Sequence, residues 1–309
     1  MSLERYMTRR VAGVGGVELA VDLWPAGPAG RRSAEPERPG YLLVHGLASN
    51  ARLYDGVAAA LVAAGHSAAT VDLRGHGRSA KPDDGYDYET MCADLVAVLD
   101  NLAKDPGPTA FGRPVVVGQS FGGNLVVELA HRHPDKLSGI VGIDGGMFDL
   151  RSRFSSWEEA EQALAPPRID GMRLEELERR LVEMHPDWPP AGIAGTLANF
   201  EVREDGTIAP WLTFDRHLKI VRTMWESSPQ TIYPEIIVPV LFLLAESPAA
   251  PAVLTAAKRA GIEQALGALA HGEVKWFSPA DHDVHAQHPD EVAAALLDFG
   301  RETTNSTIT

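Results

Sequence analysis

Residues 114–133 read PVVVGQSFGGNLVVELAHRH. The opening PVVVG is a short apolar run, the pattern of a strand covered on both faces. The closing NLVVELAHRH has helical character, and Pro134 stops further helix. Between them lies Gly118-Gln119-Ser120-Phe121-Gly122, a G-x-S-x-G match. In a chain with 29 glycines the pentapeptide alone is weak evidence. Its context is specific, because a strand that turns at once into a helix strains the residue at the corner and exposes its side chain. Side chains two positions before and after would collide with neighbouring backbone, which accounts for Gly118 and Gly122. The plain alternative is that Ser120 is an ordinary helix N-cap. The strand–turn–helix context favours a serine nucleophile at the carboxyl end of a central strand, where open α/β sheets bind ligands.

The same rhythm extends outward. YLLVH (41–45) is expected as a buried strand, 52–64 as a helix ending at Gly65, and SAATVD (67–72) as a second strand. Residues 88–104 are expected as an amphipathic helix and LSGIVGID (137–144) as a strand. Upstream, RRVAGV and VELAVDLW flank Gly15-Gly16 as a hairpin, and 25–39 is an exposed Pro- and Gly-rich loop. The alternation stops near residue 146 and resumes with VPVLFLLAE (238–246), a helix within 251–268, EVKWF (273–277) and a helix at about 289–300. The tail TTNSTIT is expected to fray. The pattern predicts an α/β fold, a mostly parallel doubly wound sheet built from 1–146 and 236–309. Residues 147–235 form a helical insertion over one end, with helical stretches such as MRLEELERRLVEM (172–184). Trp157, Trp188, Trp211 and Trp225 fall in it, with Phe154, Phe200 and Phe214.

Composition narrows the function classes. With 309 residues, 45% hydrophobic and 23% charged, the chain can bury a sizeable core. Cys92 is the single cysteine, so no intrachain disulfide forms, and its helical spacing marks it as a packed residue. A net charge of −14 argues against nucleic acid and anionic membranes. No apolar run is long enough to span a bilayer, and MSLERYMTRR lacks the apolar core of a secretory signal. A cytoplasmic location is expected.

Taken together, HGLASN (45–50), DLRGHGRS (72–79), GQSFGG (118–123), GIDGG (142–146) and DHDVHAQHP (281–289) resemble the α/β-hydrolase fold superfamily, in its lid-bearing serine hydrolase branch. The resemblance covers about 40–146 and 236–300. It implies an oxyanion hole from the backbone N–H groups of Leu47 and Phe121. It implies a base on the loop between the last strand and last helix, which holds His282, His285 and His288. The first of these, His282, matches best, with His285 as the alternative; the family commonly has Gly where this chain has Asp281. His288, just before Pro289, helps start the helix. The orienting acid departs from the commonest pattern, because VLFLLAESPAAP holds no Asp. Some haloalkane dehalogenases and lactone hydrolases carry the acid after the strand that follows the nucleophile helix, here Asp144; Glu246 is the alternative. DLRGHGRSAKP reads as a structural turn in which Asp72, Arg74 and Arg78 pair locally and His76 is a turn residue.

These readings lead to a serine hydrolase (EC 3.1.1-like) that needs no cofactor and cleaves a carboxylic ester or lactone through an acyl-enzyme. A carbon–carbon bond hydrolase or a cofactor-free perhydrolase would use the same triad, and a non-catalytic ligand receptor could be built on the same scaffold. Haloalkane dehalogenase and epoxide hydrolase chemistry usually begins from Asp, where this chain has Ser120. A metal is not expected, because HDVHAQH lacks a second donor cluster. The expected substrate is a medium-sized hydrophobic carbonyl compound. Its candidate walls are Phe121, Met147, Trp157, Trp188, Trp211 and Trp225. A homo-oligomer is left open, with 25–39 and the insertion as candidate contacts.

Overall fold

The computed structural model describes residues 6–26, 38–104 and 110–306. The strands of the main sheet are β1 (Met7–Ala12), β2 (Glu18–Trp24), β3 (Pro39–Val44), β4 (Ala68–Asp72), β5 (Ala110–Gln119) and β6 (Gly139–Ile143). After a separate ribbon of β7 (Phe200–Val202) and β8 (Ile208–Pro210), β9 (Val240–Ala245) and β10 (Gly272–Phe277) complete it. The eight-stranded order is β1-β2-β4-β3-β5-β6-β9-β10. β1 pairs antiparallel with β2, and β2 antiparallel with β4; from β4 to β10 every pair is parallel.

Period-two alternation in the central strands feeds two cores. Leu42, Val44 and Val116 face one, with α2 (Tyr88–Leu102) and α3 (Phe121–Arg132) packed on it. Tyr41, Leu43, Val115 and Val117 face the other, covered by α1 (Asp55–Ala63) and by the last helix. Both faces are dry, so these strands read as continuous apolar runs rather than alternating ones. The expected hairpin is present, and Gly15 and Gly16 supply its positive φ values of 67° and 75°. Residues 27–37 of the expected exposed loop lie outside the described residues.

The chain leaves the sheet after Ile143 and re-enters it at Val240, in the neighbouring strand. The excursion holds α4 (Leu150–Arg153), α5 (Trp157–Leu164), α6 (Leu174–Met184), α7 (Pro190–Leu197) and α8 (Phe214–Glu226). It is not purely helical, since β7 and β8 form an antiparallel ribbon within it. The chain ends with α9 (Ala252–Ala268), α10 (Val284–Gln287) and α11 (Pro289–Ser306). The last helix therefore runs through most of the tail expected to fray; residues 307–309 lie outside the described ones. No helix among the described residues is long and apolar enough to cross a membrane.

The turn after β4 also differs from expectation. Arg78 does pair with Asp72, at 3.1 Å, but it also reaches Asp22 on β2 at 2.7 Å. Arg74 instead forms a buried pair with Asp94 on α2, with both side chains at most 3% exposed. Asp94 also accepts from the Val14 N–H, so the Arg74–Asp94 pair ties the turn to α2 and to the first hairpin. Cys92 is fully buried, as its spacing predicted.

Candidate active site

Two non-glycine residues among those described have positive φ: Ser120 at 53° and Asp144 at 40°. Such backbone costs about 1–3 kcal/mol per residue and persists only where its surroundings enforce it. Ser120 sits at the corner between β5 and α3, and its N–H donates to Ile143 O at 2.9 Å. Glycines press on the corner from all sides. A Cβ on Gly118 would lie 2.0 Å from Gly122 O, and one on Gly122 would lie 2.5 Å from His45 O. A Cβ on Gly145 would meet Ser120 O at 2.2 Å, and one on Gly46 would come within 3.2 Å of Ser120 Cβ. The loops after β3 and β6 thus both abut the serine.

The loop after β3 is held by histidines. The Leu73 N–H donates to His45 Nε2 at 3.0 Å, so the proton of neutral His45 lies on Nδ1, which donates to Gly46 O at 2.7 Å. Burial, with His76 nearby, pushes the His45 pKa well down and keeps the ring neutral. Gly46 C=O and Leu47 N–H belong to one peptide unit, so His45 orients the Leu47 donor. His76 is more than a turn residue: it is 1% exposed and sets its ring nitrogens 2.7 Å from Leu47 O and 2.9 Å from Arg74 O. The first N–H groups of α3, including that of Phe121, have no partner within the helix. The Phe121 ring is fully buried and stacked on Tyr88, so it is core rather than a pocket wall.

The loop after β10 carries the three late histidines, which separate clearly. His282 Nδ1 lies 2.6 Å from Asp144 Oδ2, and the imidazole is 50% exposed. His285 is fully buried against Tyr54, with neither ring nitrogen hydrogen-bonded, and burial pushes its pKa down to about 4. His288 precedes α11 and lies 3.6 Å from Glu291 in that helix's first turn. Gln119 fastens the loop to the corner. Its Nε2 donates to Asp283 Oδ1 at 3.1 Å and to His282 O at 3.4 Å.

The two candidate acids part in the same way. Asp144 is 2% exposed and bonded to His282, whereas Glu246 Oε1 pairs with Arg259 Nη2 at 2.5 Å. Burial would raise the Asp144 pKa, but the His282 hydrogen bond and charge, together with Lys258, hold it below its usual value. For His282 burial pulls downward, while Asp144 and the nearby Asp283 raise it above 6.5 overall; half-exposed, it also feels screening by water.

Sequence reasoning missed five residues. Phe148 places its ring 6.4 Å from that of His282. Asn124 on α3 accepts from Gly146 N–H and donates to Phe148 O at 2.7 Å, shaping the loop after β6. Asn50 and Asn199 bond each other at 2.6 Å and join the loop after β3 to the insertion. Lys258 lies 2.6 Å from Asp144 Oδ1. Each joins segments far apart in the chain, so no local spacing announces it.

The candidate wall residues divide. Trp188 Nε1 donates to Asp281 Oδ2 at 3.3 Å, beside His282. Met147 is 6% exposed and packed in the core. Trp157 and Trp225 pack edge-on to each other against that core, and Trp211 lies under Lys81 Nζ. A surface groove lined by Arg113, Pro134 and His271 opens at the amino ends of the strands, away from Ser120. No group of three or more potential metal donors occurs among the described residues.

The alpha/beta hydrolase family model matches residues 41–295. The chain is similar to the 2-(acetamidomethylene)succinate hydrolase of Mesorhizobium japonicum (strain LMG 29417 / CECT 9101 / MAFF 303099), with 25% identity over 267 residues, 84% of this chain and 87% of that protein. An esterase of Mycobacterium tuberculosis (strain ATCC 25618 / H37Rv) is 34% identical over 134 residues, 43% of this chain and 42% of its own length. Among solved structures, E-2-(acetamidomethylene)succinate hydrolase superposes with a TM-score of 0.70 at 23% identity, covering 95% of this chain and 98% of that one. A putative aryl esterase from Burkholderia cenocepacia gives 0.66 at 22% identity, covering 97% and 100%. The match spans both halves of the sheet and the excursion between them, and on that ground this chain belongs to the alpha/beta hydrolase family.

Proposed function

We propose that the chain is a serine hydrolase that cleaves a carboxylic ester or lactone through an acyl-enzyme. The observation that carries this reading is the pairing of two strained residues. Ser120 stands on a corner closed by glycines, and Asp144 holds the imidazole of His282 at 2.6 Å. In this reading His282 accepts the Ser120 hydroxyl proton as the oxygen attacks the substrate carbonyl. The Leu47 and Phe121 N–H groups receive the negative charge that develops on the carbonyl oxygen. Protonated His282 then returns the proton to the leaving alkoxide, which departs as alcohol. Water, activated by the same imidazole, cleaves the acyl-enzyme and restores the serine. Asp144 fixes the His282 tautomer, with Nδ1 protonated and Nε2 free to accept.

The insertion over 147–235 acts as the cap, docked through Asn199 onto the loop after β3 and through Trp188 onto the loop after β10. Phe148 is the wall we assign to a medium-sized hydrophobic substrate. A second reading draws on the relative named for 2-(acetamidomethylene)succinate, which matches over most of its length. There the same residues would act on an amide-type bond in an anionic substrate. The net charge of −14 weighs against an anion, so the ester reading is preferred.

The test is a panel of nitrophenyl esters, lactones and amides, with 2-(acetamidomethylene)succinate included and Ser120→Ala as control. Ester or lactone turnover that Ser120→Ala abolishes is expected. Turnover of the succinate derivative alone would favour the second reading, and turnover unaffected by Ser120→Ala would refute both.

A further inference from the structure

The two oxygens of Asp144 have different partners. Oδ2 faces His282 Nδ1 at 2.6 Å. Oδ1 accepts from Lys258 Nζ at 2.6 Å and from the Ala245 N–H at 3.0 Å. Lys258 Nζ also donates to Ala245 O at 2.8 Å. The ammonium of Lys258 is therefore held at two points where β9 ends. Its side chain is only 24% exposed, unlike a lysine that sweeps through solvent. Neighbouring Arg259 is occupied elsewhere, paired with Glu246.

This arrangement has a consequence for the base. A buried carboxylate beside an imidazole raises the imidazole's pKa, and the imidazolium cannot accept the serine proton. A second cation on the opposite oxygen keeps the carboxylate ionised and opposes imidazolium formation. We propose that Lys258 is a positioning residue of the triad: it decides which Asp144 oxygen serves His282 and restrains the basicity of the imidazole. This rests on the reading of Ser120, His282 and Asp144 as one proton relay. The other charged or titratable groups facing the pair are Asp283, which favours the imidazolium, and His285, whose full burial keeps it neutral. The Phe148 ring adds no charge. Removal of Lys258 leaves nothing comparable on the Oδ1 side except the Ala245 N–H.

The experiment is the pH dependence of kcat/KM on the best ester, for wild type, Lys258→Met, Lys258→Gln, Lys258→Arg and Arg259→Met. Activity needs neutral His282, so the acid limb reports its pKa in the free enzyme. Loss of the Lys258 charge moves that limb to higher pH by about 0.5 to 1 unit, as for a unit charge roughly 6 Å away in a partly solvated site. Lys258→Arg and Arg259→Met hold the limb within about 0.2 unit of wild type, since each keeps the charge beside Asp144. If Lys258→Met does not fold, Lys258→Gln carries the same expectation.

A limb that stays in place or moves down in the neutral variants would overturn the inference, even if kcat falls, since a purely structural ion pair predicts lost activity without a shifted limb. If Ser120→Ala keeps wild-type turnover, the relay reading and this inference fall together. If Ser120→Ala is dead and the limb is unmoved in Lys258→Met, only the inference falls.

Discussion

Consider Asp144→Asn. The replacement is nearly isosteric, but the partners around it are not symmetric. At Oδ1 two donors converge, Lys258 Nζ at 2.6 Å and the Ala245 N–H at 3.0 Å. An amide NH₂ cannot sit there, because it would face two donors, so the asparagine must place its oxygen at Oδ1 and its NH₂ toward His282 Nδ1. That nitrogen then has to accept, which moves the imidazole proton to Nε2, where it blocks uptake of the serine proton. The wrong tautomer and the lost stabilisation of the imidazolium act together. The expected loss in kcat is about 10³–10⁴-fold, equal to about 4–5.5 kcal/mol of activation free energy. Glu246→Gln removes only a half-exposed pair with Arg259 and is expected to leave kcat within about threefold. The assay is initial-rate turnover of a nitrophenyl ester at saturation, with the Ser120→Ala rate as background. An Asp144→Asn enzyme keeping more than about a tenth of wild-type kcat, or a comparable collapse in Glu246→Gln, refutes the assignment.

Two further predictions concern stability. Gly118→Ala forces a Cβ to within 2.0 Å of Gly122 O at the serine corner and is expected to cost about 3 kcal/mol or more in denaturant unfolding. Gly261→Ala on α9 meets nothing within 4 Å and is expected to add about 0.5–1 kcal/mol, so similar midpoints for the two variants would contradict the packing described. Buried His45, His76, His217 and His285 all have pKa values lowered, primarily by burial, with His285 near 4. The unfolded chain therefore takes up their protons first, near pH 6.5, and stability present above that value is lost as pH falls toward about 4. Urea midpoints at pH 7.5 and 5 measure this, and an unchanged midpoint would contradict it.

The strands of the sheet were legible because apolar runs bounded by turn residues are short-range signals. The runs Tyr41–Val44 of β3 and Val115–Val117 of β5 are apolar since both faces are buried there, and the glycines around Ser120 mark where backbone meets backbone. The two candidate acids were legible only as a pair, because what distinguishes them is the partner each finds more than ten residues away. His282 comes to Asp144 across 138 residues, and Arg259 to Glu246 across 13. Phe148, Asn50, Asn199 and Lys258 went unread for the same reason. The Arg74 side chain illustrates the limit well: local spacing offered Asp72 as a partner, but the buried position of Asp94 on α2 won. The β7–β8 ribbon was hidden because a three-residue strand is too short to show period two.

The claim on which the rest depends is that the oxygen at position 120 becomes covalently attached during turnover. Intact-protein and peptide mass spectrometry after exposure to a fluorophosphonate reads this directly. The account predicts one adduct per chain on the peptide holding Ser120, absent in Ser120→Ala and strongly slowed in His282→Gln. An adduct on another residue, or undiminished ester hydrolysis by a chain whose Ser120 has been fully modified, would contradict it.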